Sequence, residues 1–138
     1  MALTIDSPDA VCSIEAEASL VTVRSRVRAT AVELGFGIVD QTKVVTAASE
    51  LARNVLRYAN RGRVFVDELA EGQRRGIRVT FEDDGPGIED LELALRDGYS
   101  TGGSLGIGLP GAKRLVDALT IDSAPGRGTT VVITTWLS

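Results

Sequence analysis

The chain has 138 residues, no histidine and a single cysteine, Cys12. One domain fits that length and two do not. Without histidine there is no Ser-His-Asp or Cys-His pair, no His-based metal site and no phosphoaccepting histidine; with one cysteine there is no internal disulfide. Cys12 reads as a small core residue. The net charge of −4 argues against a nucleic-acid partner, since sequence-independent binding relies on Lys and Arg neutralising phosphates. No stretch approaches the ~18 consecutive apolar residues of a membrane span, so no membrane partner is expected. The start of the chain has early acidic residues and no basic segment of the signal-peptide kind. The cytoplasm is the expected compartment.

The first nine residues read as a ragged start, and Val11 to Ile14 as a short strand. Apolar residues then recur at Leu20, Val23, Val27, Ala31 and Leu34, which is helical spacing, and Gly35 and Gly37 stop the helix. Asp40 reads as the N-cap of a second helix with the stripe Val44, Ala48, Leu51, Val55 and Tyr58, ending near Asn60 and Gly62. Arg63 to Leu69 and Gly76 to Phe81 are β-rich runs joined by the polar segment 70–75, an antiparallel hairpin. The turn-forming cluster Asp83-Asp84-Gly85-Pro86-Gly87 follows, and then a short candidate helix from Leu91 to Arg96. Gly98 to Gly111 is a glycine-rich loop, and a third helix is predicted over Leu109 to Leu119. Leu119 to Ser123 and Thr129 to Trp136 close the chain as two strands around Ala124-Pro125-Gly126-Arg127-Gly128. The order β, α, α, β, β, α, β, β, with hairpins and segregated helices, predicts an α+β two-layer sandwich in one domain over residues 1–138.

The 15 glycines exceed the average usage of about 7%, and their clustering carries the information. Gly106-Ile107-Gly108-Leu109-Pro110-Gly111 satisfies G-x-G-x-x-G, but a loop precedes it rather than a strand, and 27 residues remain after it. That excludes a Rossmann domain. No Gly-Lys-Ser/Thr is present for a Walker A loop, and the chain is too short for a protein-kinase lobe. A glycine loop entering a helix still offers unpaired N–H donors and a favourable dipole to phosphate. Glu50 and Asn54 stand four apart on one helix face, with oxygens suited to Mg²⁺ or to orienting a water. Asp83 with Gly85 and Gly87 forms D-x-G-x-G after a strand. A carboxylate there can accept from an exocyclic amine, and the glycines let a flat base lie against the backbone. Gly126-Arg127-Gly128-Thr129 places a hydroxyl at the start of the last strand. Taken singly, each of these is also compatible with an ordinary helix face, turn or surface loop.

Together, E-x-x-x-N, D-x-G-x-G, a glycine-rich lid and G-T resemble the GHKL superfamily of ATP-binding domains from Asp40 to Trp136. Glu50-Leu51-Ala52-Arg53-Asn54, Glu82 to Ile88, Asp97 to Thr101 and Gly106 to Leu115 resemble, within it, the RsbT-like switch kinases of the bacterial general stress pathway, as does Leu34-Gly35-Phe36-Gly37. The resemblance implies a Bergerat-type sandwich with a mixed, mainly antiparallel sheet and helices on one face. It implies ATP and Mg²⁺ as cofactors, with Asn54 on the Mg²⁺ and Glu50 as the base or orienter for the attacking hydroxyl. Asp83 is implied at the adenine amine with Thr129 assisting, Gly85 and Gly87 flank the base, and Gly102, Gly103, Gly106, Gly108 and Gly111 form the lid and its hinge. Lys113, Arg114 and Arg53 read as solvated basic residues sooner than as phosphate ligands. The implied activity is serine/threonine phosphorylation of STAS-domain antagonist and scaffold proteins, with activation of a PP2C-type phosphatase by partner switching. The alternative within the superfamily is an anti-sigma factor that sequesters a sigma factor.

Overall fold

The computed structural model describes residues 10–87 and 108–137. The elements are β1 (Ala10–Ile14), α1 (Glu17–Leu34), α2 (Ile38–Ala59), β2 (Gly62–Glu71), β3 (Arg74–Asp83), α3 (Gly108–Arg114), β4 (Ala118–Ser123) and β5 (Thr129–Trp136). The strands form one sheet in the order β1-β2-β3-β5-β4, and every described pairing is antiparallel. The helices pack on one face of it, α1 and α2 against β1–β3 and α3 against α2. This is the expected α+β sandwich. The candidate helix Leu91–Arg96 lies outside the described residues.

Alternation along the strands decides which face is covered. In cross-strand register, Cys12, Val64, Phe81, Val131 and Ile121 form one row, and Val66, Val79, Ile133 and Leu119 the next. All but Ile121 and Leu119 are buried, and those two are half-buried at the sheet edge. Cys12 is 5% exposed, and burial pushes its thiol pKa up, as suits a core residue. The opposite face carries charge instead: Arg63 pairs with Glu82 at 3.2 Å and Arg78 with Asp67 at 3.6 Å, each pair directly opposite in β2 and β3. At one end of the sheet the Arg74 guanidinium stacks 4.0 Å from the centroid of the Trp136 ring, and a side chain at Gly76 would strike Trp136 Cε3 at 2.8 Å.

Several boundaries depart from the sequence reading. Asp40 is not the N-cap of α2: the helix begins at Ile38 with Gly37 in the cap position, and Gln41 Nε2 donates to the Phe36 carbonyl at 2.7 Å. Asp40 sits in the first turn, where its charge still favours the dipole. Tyr58, placed in the apolar stripe, is 48% exposed. The β2–β3 ladder runs through most of the segment read as a polar turn and closes at Gly72-Gln73, with Gly72 left-handed at φ 62°. The third helix ends at Arg114 rather than Leu119: Leu115 N–H tightens back to Ala112 O at 3.0 Å, and Asp117 N–H turns to Thr134 O at 3.0 Å, which starts the β4–β5 ladder. Gly35 ends α1 as expected, in a left-handed conformation at φ 95°.

Phe81 is the largest fully buried side chain among the described residues and stands two residues before Asp83. Phe81→Ala is expected to destabilise the fold by about 3–5 kcal/mol, read as a lowered urea midpoint by circular dichroism.

Candidate functional site

The inner face of the sheet turns polar at one end. Gly62, Asp83, Thr129 and Ser123 stand opposite one another across β2, β3, β5 and β4, one row beyond Phe81. Two of the expected residues, Asp83 and Thr129, are thus direct cross-strand neighbours. Asp83 Oδ1 accepts the Gly85 N–H at 2.9 Å, which closes the turn leaving β3. Burial pushes the Asp83 carboxyl above the ordinary carboxylate range, and Asp84 pushes it the same way. The backbone N–H groups of Gly85 and Thr129 oppose that shift. Beside it, Ser123 Oγ lies 2.8 Å from Thr129 Oγ1. Ser123 was not singled out by its sequence. The signal for it is positional, since it is the strand residue facing Thr129 across the hairpin.

The glycines of this region are required by backbone contact. A Cβ on Gly87, which has φ 81°, would strike the Ala124 carbonyl, and one on Gly128, at φ 77°, would strike the Asp83 carbonyl. Pro86 O accepts the Gly126 N–H at 2.7 Å across the same seam. A Cβ on Gly85 would lie 2.6 Å from Ala59 Cβ, so this turn also abuts the last turn of α2. A Cβ on Gly62 would meet Val55 Cγ1 at 2.7 Å. The helix carrying Glu50 and Asn54 therefore runs directly onto the end of the sheet that holds Asp83.

On that helix, Glu50 is 4% exposed and Asn54 is half-buried. The residues from Ala47 to Ala52 are all buried, so Glu50 is not on a solvated face. Arg53 Nη1 donates to Glu50 Oε1 at 3.3 Å, an ion pair one turn along the helix. Glu50 Oε2 is buried and has no hydrogen-bond partner among the described residues. An unsatisfied buried acceptor costs about 1–3 kcal/mol, more for a charged group, so this oxygen fits a site completed by a cation or a donor. The described residues hold no cluster of three or more acidic, Cys or His side chains that would form a protein-only metal cage. Mg²⁺ needs none, since it is held by one or two protein oxygens together with substrate phosphates and water.

Of the expected lid, Gly102, Gly103 and Gly106 lie outside the described residues. Gly108 begins α3 at φ 67°, and Gly111 is buried within it. Lys113 is exposed, as a solvated basic residue would be, and so is Arg114. A separate cleft of about 640 Å³ opens at the other end of the sheet, among Asp40, Lys43, Arg114 and Trp136, and holds none of the expected site residues. No helix among the described residues is long and apolar enough to cross a membrane.

Comparison with known proteins identifies the family and the fold. The profile of the histidine kinase-, DNA gyrase B-, and HSP90-like ATPase family matches residues 39–138. The serine/threonine-protein kinase RsbT of Bacillus subtilis is 44% identical over 90% of this chain and 93% of its own. An anti-sigma F factor of Bacillus velezensis is 32% identical over 72% of this chain and 71% of its own. Among solved structures, the RsbU and RsbW domains of a Mycobacterium tuberculosis protein superpose with a TM-score of 0.62 at 22% identity, over 93% of this chain and 32% of that one. The mycobacterial sensor histidine kinase MprB superposes with a TM-score of 0.57 at 20% identity, over 85% of this chain and 93% of its own. These two likenesses concern the fold.

Two outcomes follow from the geometry. A raised folded-state pKa means that the folded chain holds the Asp83 proton more tightly than the unfolded chain. That contribution is complete below the unfolded pKa and is lost as pH rises through the folded one. The Tm of Asp83→Asn relative to wild type is therefore expected to rise between about pH 3 and pH 7 in parallel thermal melts, and a flat or falling difference contradicts it. Gly87→Ala is expected to lose about 2 kcal/mol or more in urea titration, because the left-handed backbone and the Ala124 contact both oppose a side chain.

Proposed function

Because the chain belongs to the histidine kinase-, DNA gyrase B-, and HSP90-like ATPase family, we propose that it is a serine/threonine kinase that binds ATP with Mg²⁺ between α2 and the Asp83–Thr129 end of the sheet. The observation that carries this reading is the buried Glu50 Oε2, without a partner among the described residues, one helical turn before Asn54. The identity to a serine/threonine-protein kinase over nearly the whole chain supports it.

Each residue then has a physical task. Asn54 supplies an amide oxygen to Mg²⁺, a hard ligand for a hard cation. The ion, when bound, neutralises charge on the phosphates. Glu50 orients the attacking serine or threonine hydroxyl and takes its proton. Arg53 holds the other Glu50 oxygen and so fixes the carboxylate rotamer. Asp83 accepts from the adenine amine, with Thr129 beside it. The interlocked turns at Gly85, Gly87 and Gly128 hold those two acceptors in place. Gly102, Gly103, Gly106, Gly108 and Gly111 serve as the lid and its hinge over the phosphates. Phosphoryl transfer asks the protein for position and charge neutralisation more than for covalent chemistry, so a chain without histidine and with a buried Cys12 is equipped for it.

The substrates we propose are hydroxyls on STAS-domain antagonist and scaffold proteins. The second partner is a PP2C-type phosphatase, engaged by partner switching in a cytoplasmic sigma-factor stress cascade. Transfer of radiolabel from ATP to a STAS partner tests this. Wild type is expected to label the partner. Asn54→Ala is expected to lose transfer by about 100-fold or more, as is typical when a charge-stabilising group is removed from a transition state. Asp83→Asn is expected to lose ATP binding. Labelling that is unchanged in both variants would sink the reading, and capture of a sigma factor without capture of the phosphatase would favour the anti-sigma function instead.

A further inference from the structure

The hydroxyl pair at the end of the β4–β5 hairpin has a fixed direction. Ser123 Oγ lies 3.0 Å from the Gly128 carbonyl oxygen and 2.8 Å from Thr129 Oγ1. A carbonyl only accepts, and a hydroxyl carries one proton. The two bonds form together only when Ser123 donates to Gly128 and Thr129 donates to Ser123. Thr129 Oγ1 then has lone pairs alone to offer on its other side. Asp83, its cross-strand neighbour on the same face, is an acceptor when ionised. This end of the site therefore presents acceptors and calls for a ligand edge that donates.

We propose that Ser123 is a positioning residue that locks the Thr129 hydroxyl as an acceptor and thereby selects a 6-amino purine over a 6-oxo purine. The proposal rests on the reading of Asp83 and Thr129 as base contacts. Adenine offers two N–H donors at its 6-position, and guanine offers a carbonyl oxygen there. Facing that oxygen with the Asp83 carboxylate and a locked Thr129 lone pair, both half-buried, leaves acceptors opposed and unpaired, a mismatch that recognition sites reject. Without the Ser123 hydroxyl, Thr129 is free to rotate and donate, and half of the discrimination device is lost. Gly128, left-handed at φ 77°, supplies the carbonyl that accepts the Ser123 hydrogen bond, so the turn backbone is part of the lock.

The test is calorimetric titration of the purified full chain with ATP and with GTP, each with Mg²⁺, for wild type, Ser123→Ala and Ser123→Thr. Wild type is expected to bind ATP at least about 100-fold more tightly than GTP. Ser123→Ala is expected to lower that ratio by about tenfold, the worth of one reoriented hydrogen bond. Ser123→Thr keeps the hydroxyl and is expected to restore the ratio. Thr129→Val keeps the side-chain shape without the hydroxyl and lowers the same ratio, which serves if Ser123→Ala does not fold. Equal weakening of both nucleotides in Ser123→Ala, or a Ser123→Thr variant that stays unselective, overturns the proposal. The two readings fail separately. A wild type that binds neither nucleotide overturns the nucleotide site and this inference with it. A wild type that binds ATP, loses it on Asp83→Asn and keeps its ratio on Ser123→Ala overturns the role of Ser123 alone.

Discussion

Two stretches of backbone meet at the end of the sheet with no side chains between them. Gly87 lies against Ala124 and Pro125, Gly128 lies against Asp83 and Asp84, and Gly126 N–H closes the seam on Pro86 O. The positions of Asp83 and Thr129 depend on this contact, because each sits at the strand end that the seam clamps. Gly85 extends the same constraint to α2 through Ala59. The helix with Glu50 and Asn54 and the strands with Asp83 and Thr129 are therefore referenced to one small patch of glycines. A catalytic constellation assembled from distant parts of a chain needs such a common origin, since misplacement by about 1 Å can cost 100-fold in rate.

The site is held at some expense to stability. Glu50 is buried with one oxygen unpartnered among the described residues, and Asp83 carries a carboxyl that burial disfavours in its charged form. Neither arrangement would be chosen for a core; Asp83 stands where the polar row succeeds the Phe81 row on the inner face, and Glu50 lies on the helix that abuts the same end of the sheet. The hydrophobic rows built on Val64, Val66, Val79, Phe81, Val131 and Ile133 are continuous up to that boundary and able to carry it. Local rules broken at one end of an otherwise consistent sheet are a mark of function.

Much of this was legible from periodicity and composition. The stripes at Leu20–Leu34 and Val44–Val55 announce their helices because burial selects one face at a fixed period, and the β-rich run at Thr129–Trp136 announces its strand by composition. The pair Glu50 and Asn54 and the D-x-G-x-G turn were visible as chemistry at a spacing. What failed was decided by contacts between segments. Asp40 lost the N-cap because Gly37 already supplies the extended cap backbone, and Leu115 to Leu119 left the helix because Asp117 pairs with β5. The glycines Gly85 and Gly87 looked like room for a base, yet each is also demanded by a neighbouring alanine. The pairing of Ser123 with Thr129 was invisible because the two stand opposite each other only once the β4–β5 register exists.

The chain has one tryptophan, Trp136. Its indole is held between the Arg74 guanidinium and the backbone at Gly76, at the end of the sheet away from Asp83 and Thr129. Both neighbours belong to β3, so the ring keeps this environment only while the β3–β5 ladder is intact. The molecule thus carries an intrinsic fluorophore that reports closure of the central strands, set at the opposite end of the sheet from Asp83 and Thr129, so that its emission follows unfolding separately from events at that end.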